Sequence, residues 1–165
     1  MGRVDLSEQI KLAFSSVALG DGVGIYEAEA IDNYAGKEEI AAAKAKDREV
    51  WGEWTQIPDN VLGTFYSALC FVDPEGMRFL LPAYMLFAIN NYKESDSASI
   101  DSVIYALDRG SEAFGGNESL LSSEQKSAII SFLKYMVLEA GEDWVDATVA
   151  SRAYEQHWSR YEEKA

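Results

Sequence analysis

The sequence predicts an all-α protein of about seven helices, with at most one small β-hairpin around residues 68–81. Its apolar residues recur at steps of three and four, as in the run Leu6, Ile10, Phe14 and Val17, and this is the spacing of amphipathic helices. Glycine-containing and polar loops separate these stretches. With 165 residues, of which 48% are hydrophobic, the chain suits a single folded domain with a sizeable core, covering residues 1–165.

The first part of the chain contains four predicted helices. They are expected at residues 6–17, 25–34, 37–54 and 58–72. Asp5 or Ser7 is the expected N-cap of the first helix. Glycines separate the first three helices, and Pro58 suits the first turn of the fourth.

The segment 68–81 allows two interpretations. Its centre, Asp73-Pro74-Glu75-Gly76, has the composition of a type I turn. In one interpretation this turn follows the helix at 58–72, and in the other it joins two strands at 68–72 and 77–81. Pro82 is expected to open the next helix, because proline disfavours helical conformation in the residue before it.

The second part of the chain alternates polar loops with helices. Loops are expected at residues 93–99 and 109–121, and helices at 100–108, 122–140 and 142–161. Ser122-Ser-Glu-Gln125 has the pattern of a capping box, so the helix at 122–140 should begin there. Gly141 is expected to end it.

The charge of the protein is strongly acidic. The chain has 28 acidic against 14 basic residues and a net charge of −14. Nucleic acids and anionic membranes both require basic surface, so neither is an expected partner. Residues 1–57, 58–117 and 118–165 carry net charges of −5, −5 and −4, which predicts a uniformly acidic surface. A basic protein is the partner that such a surface favours.

The inventory of reactive residues excludes several kinds of site. One cysteine and one histidine cannot form a disulfide framework, a cysteine zinc site or a two-histidine metal motif, so no metal or cofactor is expected. Cys70 lies in an apolar stretch without a basic neighbour and is expected to be buried and unreactive. His157 lies beside an aromatic stripe, where a partly exposed residue without catalytic function is the favoured interpretation.

Two further patterns have ordinary explanations. The glycines of 20–24 lack the spacing and the preceding strand of a dinucleotide-binding loop, so they are expected to be loop residues. An acidic cluster at 139–146 lacks the spacing of a calcium loop and is expected to be a solvated helix start. No apolar stretch has the length of a transmembrane helix, and the N-terminal residues lack the apolar region of a secretory signal. A cytoplasmic protein with a reduced thiol is therefore expected.

One stretch carries a family resemblance. Residues 67–85 read SALCFVDPEGMRFLLPAYM. They resemble a family of small bacterial proteins without an established activity, which share approximately the phrase A-L-x-F-x-D-x-x-G-x-R-F-x-L-P-A-Y-M. Further similar segments lie at residues 31–34, 47–58, 121–125, 130–135 and 153–158. The resemblance implies one compact domain and indicates no catalytic residue.

Arg78 is the residue of this phrase that is hardest to explain as part of a core. It interrupts an apolar run, so it should pair with an acid if it is buried. Asp73 and Asp47 are the expected partners, and contact with a ligand is the alternative. Tyr84 could join either arrangement.

These observations favour a non-enzymatic acidic protein that binds a basic protein partner, by analogy with immunity proteins and antitoxins. One alternative is a small enzyme or small-molecule sensor with an aromatic pocket around Arg78 and Tyr84. Another is a structural subunit of a larger assembly. The candidate ligand- or partner-binding residues are Trp51, Trp54, Asp73, Arg78, Tyr84 and His157.

Overall fold

The longest helix, α5 (Pro74–Asn91), lies at the centre of the protein in a computed structural model that describes residues 1–162. Twelve of its 18 residues are buried. Other helices pack around it because its apolar side chains point in all directions, and a helix that is hydrophobic all round has to be enclosed.

Seven further α-helices are present between residues 1 and 162. They are α1 (Arg3–Ala13), α2 (Ile25–Asp32), α3 (Lys37–Val50), α4 (Asp59–Thr64), α6 (Ser99–Asp108), α7 (Ser123–Tyr135) and α8 (Ala147–Ala153). Short 3₁₀ turns lie at Trp54–Gln56, Ala68–Cys70, Gly110–Phe114, Glu118–Leu120 and Ser159–Tyr161, and π-turns at Met136–Ala140 and Tyr154–Trp158. The all-α prediction is confirmed. No strand occurs in the described part of the chain, so the hairpin interpretation of residues 68–81 is wrong.

The predicted turn at 73–76 is the start of α5. Asp73 is the N-cap, and its Oδ1 accepts a hydrogen bond from the Gly76 N–H at 2.8 Å. The same Oδ1 accepts one from the Val23 N–H at 2.8 Å, which ties the loop before α2 to α5. Asp followed by Pro is favoured both in type I turns and at helix N-termini, so the composition of residues 73–76 does not distinguish a turn from the start of a helix.

Pro82 lies inside α5 and does not open a helix as predicted. Its ring removes one backbone hydrogen bond, the one that the carbonyl of Arg78 would receive in a regular helix. The proline and its neighbours Leu81 and Ala83 are buried. Burial of this apolar stretch offsets the lost hydrogen bond, a tertiary effect that local propensity does not contain.

The predicted helix at 58–72 ends early, at Thr64 of α4. Side chains at and just before the start of α6 bind the carbonyls at its end. Ser99 Oγ donates to the Leu62 carbonyl at 2.6 Å, and Ser97 Oγ donates to the Gly63 carbonyl at 2.6 Å. The Tyr84 hydroxyl donates to the Phe65 carbonyl at 2.5 Å. The chain then turns, and the prediction of a buried Cys70 is wrong, because the turn at Ala68–Cys70 leaves this thiol exposed.

The other helix ends differ in how well they match the ends predicted from the sequence. The capping box at Ser122 is confirmed, since Ser122 Oγ and Gln125 Oε1 each accept the other residue's N–H. Gly141, with φ of 73°, ends the π-turn that follows α7. The N-cap of α1 is Gly2, so the prediction of Asp5 or Ser7 is wrong. The last helix begins at Ala147, not at residue 142.

Asp47 is a fully buried carboxylate that caps α2 from α3. Its Oδ1 accepts the N–H of Tyr26 at 3.0 Å, and its Oδ2 accepts the N–H of Glu27 at 2.9 Å. A Cβ on Gly24 would lie 2.3 Å from the Asp47 Cγ, so the approach requires a glycine there. Burial raises the pKa of Asp47, and the two N–H donors act in the opposite direction.

No helix in the described residues combines the length and the apolar character that a membrane span needs.

Replacing Asp47 by Asn should lower the free energy of unfolding by about 1–3 kcal/mol, because the two N–H groups bind different carboxylate oxygens and the NH₂ group of Asn accepts neither. The exposed Glu49 on the same helix provides the control, and Glu49→Gln should change it by less than about 0.5 kcal/mol. Urea denaturation measures both. Equal effects of the two substitutions would contradict the capping role.

Glu27 is a second buried acid, and its Oε2 has no hydrogen-bond partner within residues 1–162. Burial raises the pKa of Glu27 above its ordinary value of 4.5, against the attraction of Lys44 and Arg48. The folded state therefore binds this proton more tightly than the unfolded chain, so the contribution of Glu27 to stability is lost as the pH rises through the folded-state pKa.

Glu27→Gln, which mimics the protonated acid, should consequently raise the free energy of unfolding at neutral pH. The gain should shrink as the pH falls through the ordinary pKa of the acid, because wild-type Glu27 is then protonated in both states. Urea denaturation of both proteins at neutral and acidic pH tests this. A gain that is absent at neutral pH, or larger at acidic pH, would show that the buried charge carries no penalty.

Candidate functional site

Three of the predicted site residues are buried aromatic side chains with contacts inside the protein. The Trp51 ring stacks on Tyr26, with ring centroids 5.6 Å apart. The Trp54 indole N–H donates to the Phe14 carbonyl at 2.9 Å. The Tyr84 hydroxyl is occupied by the carbonyl at the end of α4, and burial raises the pKa of Tyr84 far above its ordinary value.

Arg78 pairs with an acid as expected, but the predicted partners Asp73 and Asp47 are wrong. Its Nη2 lies 3.2 Å from Glu75 Oε2, one helical turn earlier, because the segment is helical and not a turn. Its Nη1 donates to the carbonyl of Leu120 at 3.3 Å, joining α5 to the loop before α7. The buried Nε has no acceptor in the described residues.

His157 lies in the π-turn after α8, far along the chain from the other candidates. A Cβ on Gly110 would lie 2.5 Å from its Nδ1, so the imidazole packs directly on this glycine. The two residues line a small cavity of about 10 Å³, which has room for about one water molecule. Trp51, Trp54, Asp73, Arg78 and Tyr84 line neither this cavity nor the larger groove described below.

A different surface combines exposed aromatic rings with acids. We call it the acidic–aromatic surface; it consists of Asp101, Tyr105, Glu139, Glu142, Asp143, Trp144 and Asp146. Tyr105 and Trp144 are each 48% exposed, whereas the other three tryptophans are buried. Large aromatic side chains with this exposure are typical anchors of protein interfaces.

Hydrogen bonds hold the two halves of this surface together. The Tyr105 hydroxyl of α6 donates to Asp146 Oδ2 at 3.0 Å. The Asp146 N–H donates to Asp101 Oδ1 at 2.9 Å, and Asp146 Oδ1 caps α8 by accepting the Val149 N–H at 3.1 Å. The acidic side chains of α6 and those of the loop before α8 are therefore presented side by side.

An aromatic cluster supports Trp144 from below. The Trp144 ring meets Tyr92 edge to face at 6.5 Å, and Tyr92 meets Tyr135 in the same way at 6.4 Å. Burial and the neighbouring Tyr92 hydroxyl raise the pKa of Tyr135 to about 12. Partial burial and the hydrogen bond to Asp146 raise the pKa of Tyr105. Both hydroxyls therefore remain protonated hydrogen-bond donors at neutral pH.

The chemistry of this surface suits cationic side chains. Carboxylates accept hydrogen bonds from guanidinium and ammonium groups, and the faces of indole and phenol rings attract cations. In residues 1–162 no group of three or more acidic, histidine or cysteine side chains is arranged to hold a metal ion. Asp101, Glu142 and Asp146 already accept hydrogen bonds within the protein, and Glu139 and Asp143 are exposed.

The sequence contained part of the signal for this surface. The prediction that the acids at 139–146 form a helix start holds for Asp146, the N-cap of α8. It fails for the earlier acids, because Glu139 lies in the π-turn that Gly141 ends. Trp144 stands among those acids in the sequence. Asp101 and Tyr105 are about forty residues earlier, and nothing local indicated that they lie beside it.

Comparison with known proteins gives one match. A family model described as a family of unknown function (DUF6714) matches residues 2–162. No curated protein and no solved structure matches the chain. The match covers all eight helices, in agreement with the resemblance to a family without an established activity.

Collisional quenching of tryptophan fluorescence should report the charge around Trp144. Relative to its effect on free N-acetyltryptophanamide, quenching by Cs⁺ should be strengthened and quenching by I⁻ weakened, because the surrounding carboxylates attract the cation and repel the anion. Trp144→Phe should remove most of the Cs⁺ quenching, whereas Trp51→Phe, at a buried position, should leave it in place. A ratio of I⁻ to Cs⁺ quenching equal to or higher than that of the free amide would contradict this description of the surface.

Proposed function

The chain belongs to the family of unknown function DUF6714, and we propose that it is a non-enzymatic acidic protein that binds a basic protein partner through the acidic–aromatic surface. The observation that carries this proposal is the pair of half-exposed rings, Tyr105 and Trp144, among five carboxylates. Rings of this kind supply contact area at low entropic cost, and the carboxylates select for positive charge.

The overall charge supports the same proposal. A net charge of −14 accelerates the encounter with a basic partner over distances of about a Debye length, which is about 8 Å at physiological salt. The rings then provide short-range contacts that do not depend on salt. A binding protein of this kind needs no cofactor and no catalytic residue.

A small, acidic, cytoplasmic protein that neutralises a basic toxin, as immunity proteins and antitoxins do, is the biological role that we favour; the argument for it is analogy. The alternative of an enzyme or sensor with a pocket at Arg78 and Tyr84 has less support. Both side chains are engaged in contacts within the protein, and neither lines the cavities described above.

The proposal can be tested by retention of basic proteins from an extract of the source cells on the immobilised full chain, followed by their identification and by titration of each purified protein. An interface variant combines Trp144→Ala with Asp143→Asn. The matched control combines Tyr34→Ala with Glu38→Gln, because Tyr34 is 96% exposed but lies outside the acidic–aromatic surface. Both variants lose one exposed ring and one charge.

We expect a basic protein whose affinity falls at least about tenfold with the interface variant and changes less than about twofold with the control. Its affinity should also fall as salt increases, because screening weakens attraction between opposite charges. Retention of no basic protein would contradict the proposal. An equal loss with both variants would place the binding outside the acidic–aromatic surface.

A further inference from the structure

The negative charge, although even along the sequence, is uneven in space. Helices α1 and α7 and the turns at 154–162 lie against one another, and we call them the neutral face. Residues 1–14, 122–135 and 154–162 contain five acidic and five basic residues, whereas the remainder of the chain carries the whole net charge of −14. The expectation of a uniformly acidic surface is therefore wrong.

Contacts across the neutral face show that its three parts are adjacent. The Gln9 side chain donates to Ser127 Oγ at 3.3 Å, and the Gln125 side chain donates to the carbonyl of Ala13 at 3.2 Å. Lys134 of α7 pairs with Glu162. Lys11 pairs in the same way with Glu8 of α1. The balance of the face comes from its equal numbers of acids and bases.

A groove of about 950 Å³ runs along the neutral face between α1, α7 and the last turn. Much of its lining is small and polar: Ser16, Ser122, Ser123, Ser127 and Ser131. Leu12 stands at its edge and is 75% exposed. The buried Gln9 Oε1 beside it has no hydrogen-bond partner in the described residues. Small side chains allow another backbone to come close, and Leu12 offers an apolar contact.

We propose that the neutral face binds a second copy of this chain, so that the protein forms a symmetric dimer through α1 and α7. Two molecules with a charge of −14 repel each other wherever acidic surfaces meet, and that repulsion is weakest where charges balance. In a two-fold arrangement the Leu12 of each copy packs into the serine-lined groove of the other.

This inference does not depend on the proposed function. The acidic–aromatic surface belongs to α6 and the loop before α8, outside the neutral face, and stays free in such a dimer. Each dimer would present two binding surfaces to basic partners. The two proposals also have opposite salt dependence: binding of a basic partner weakens as salt rises, whereas association of like-charged copies does not.

Sedimentation equilibrium of the full chain over a wide concentration range, at low and at high salt, tests the dimer. Leu12→Glu should weaken self-association at least about tenfold, because it places a charge in the contact. Leu138→Glu is the matched control, because Leu138 is 77% exposed but outside the groove, and it should leave the association unchanged. Ser127→Gln, which adds bulk without charge inside the groove, should weaken it as well.

A reversible dimer that persists at high salt and is lost in Leu12→Glu and Ser127→Gln would support the inference. A wild-type chain that is monomeric at every concentration would overturn it. A dimer that tolerates both groove variants, or that Leu138→Glu disrupts equally, would place the contact elsewhere. A dimer that dissociates as salt rises would refute the charge argument.

Discussion

Two buried or partly buried carboxylates, Asp47 and Asp73, hold the helices in register. Asp47 caps α2 from α3, which fixes the path of the loop that precedes α2. That loop in turn donates the Val23 N–H to Asp73, the residue that caps α5. The cap between two outer helices is therefore linked, through Val23, to the cap of the central helix. The energy of each bond is small, but an unmade bond would leave N–H groups buried without an acceptor.

Local signals account for the parts of the fold that were predicted well. The capping box at Ser122 and the glycine at 141 determine helix ends through residues adjacent in sequence. Such ends can therefore be predicted from a short stretch of sequence. The predicted helix boundaries were wrong where contacts with side chains distant in sequence determine where a helix ends or continues. The end of α4 depends on Ser97, Ser99 and Tyr84, and helix continuity through Pro82 depends on burial. A sequence window contains none of these contacts.

The two candidate surfaces also depend partly on local sequence and partly on contacts between distant residues. Exposed rings among acids could be suspected around Trp144, but Asp101 and Tyr105 join them only through the packing of α6 against α8. Charge counted along the chain is uniform, yet the packing of α1 on α7 gathers balanced segments on one side. Trp51, Trp54 and Tyr84 were predicted as site residues because they are aromatic. They are buried core residues, and the high aromatic content of the chain therefore does not indicate a binding pocket at these positions.

The end of α4 also shows how a short helix depends on its neighbours. A helix of six residues is far below the length at which an isolated helix is stable in water, so α4 needs tertiary contacts. The groups that bind its last carbonyls come from α5 and from the residues at the start of α6. Helix α4 therefore depends on contacts with those segments for its stability. A change that loosens α5 or the start of α6 would by the same dependence release the end of α4 as well.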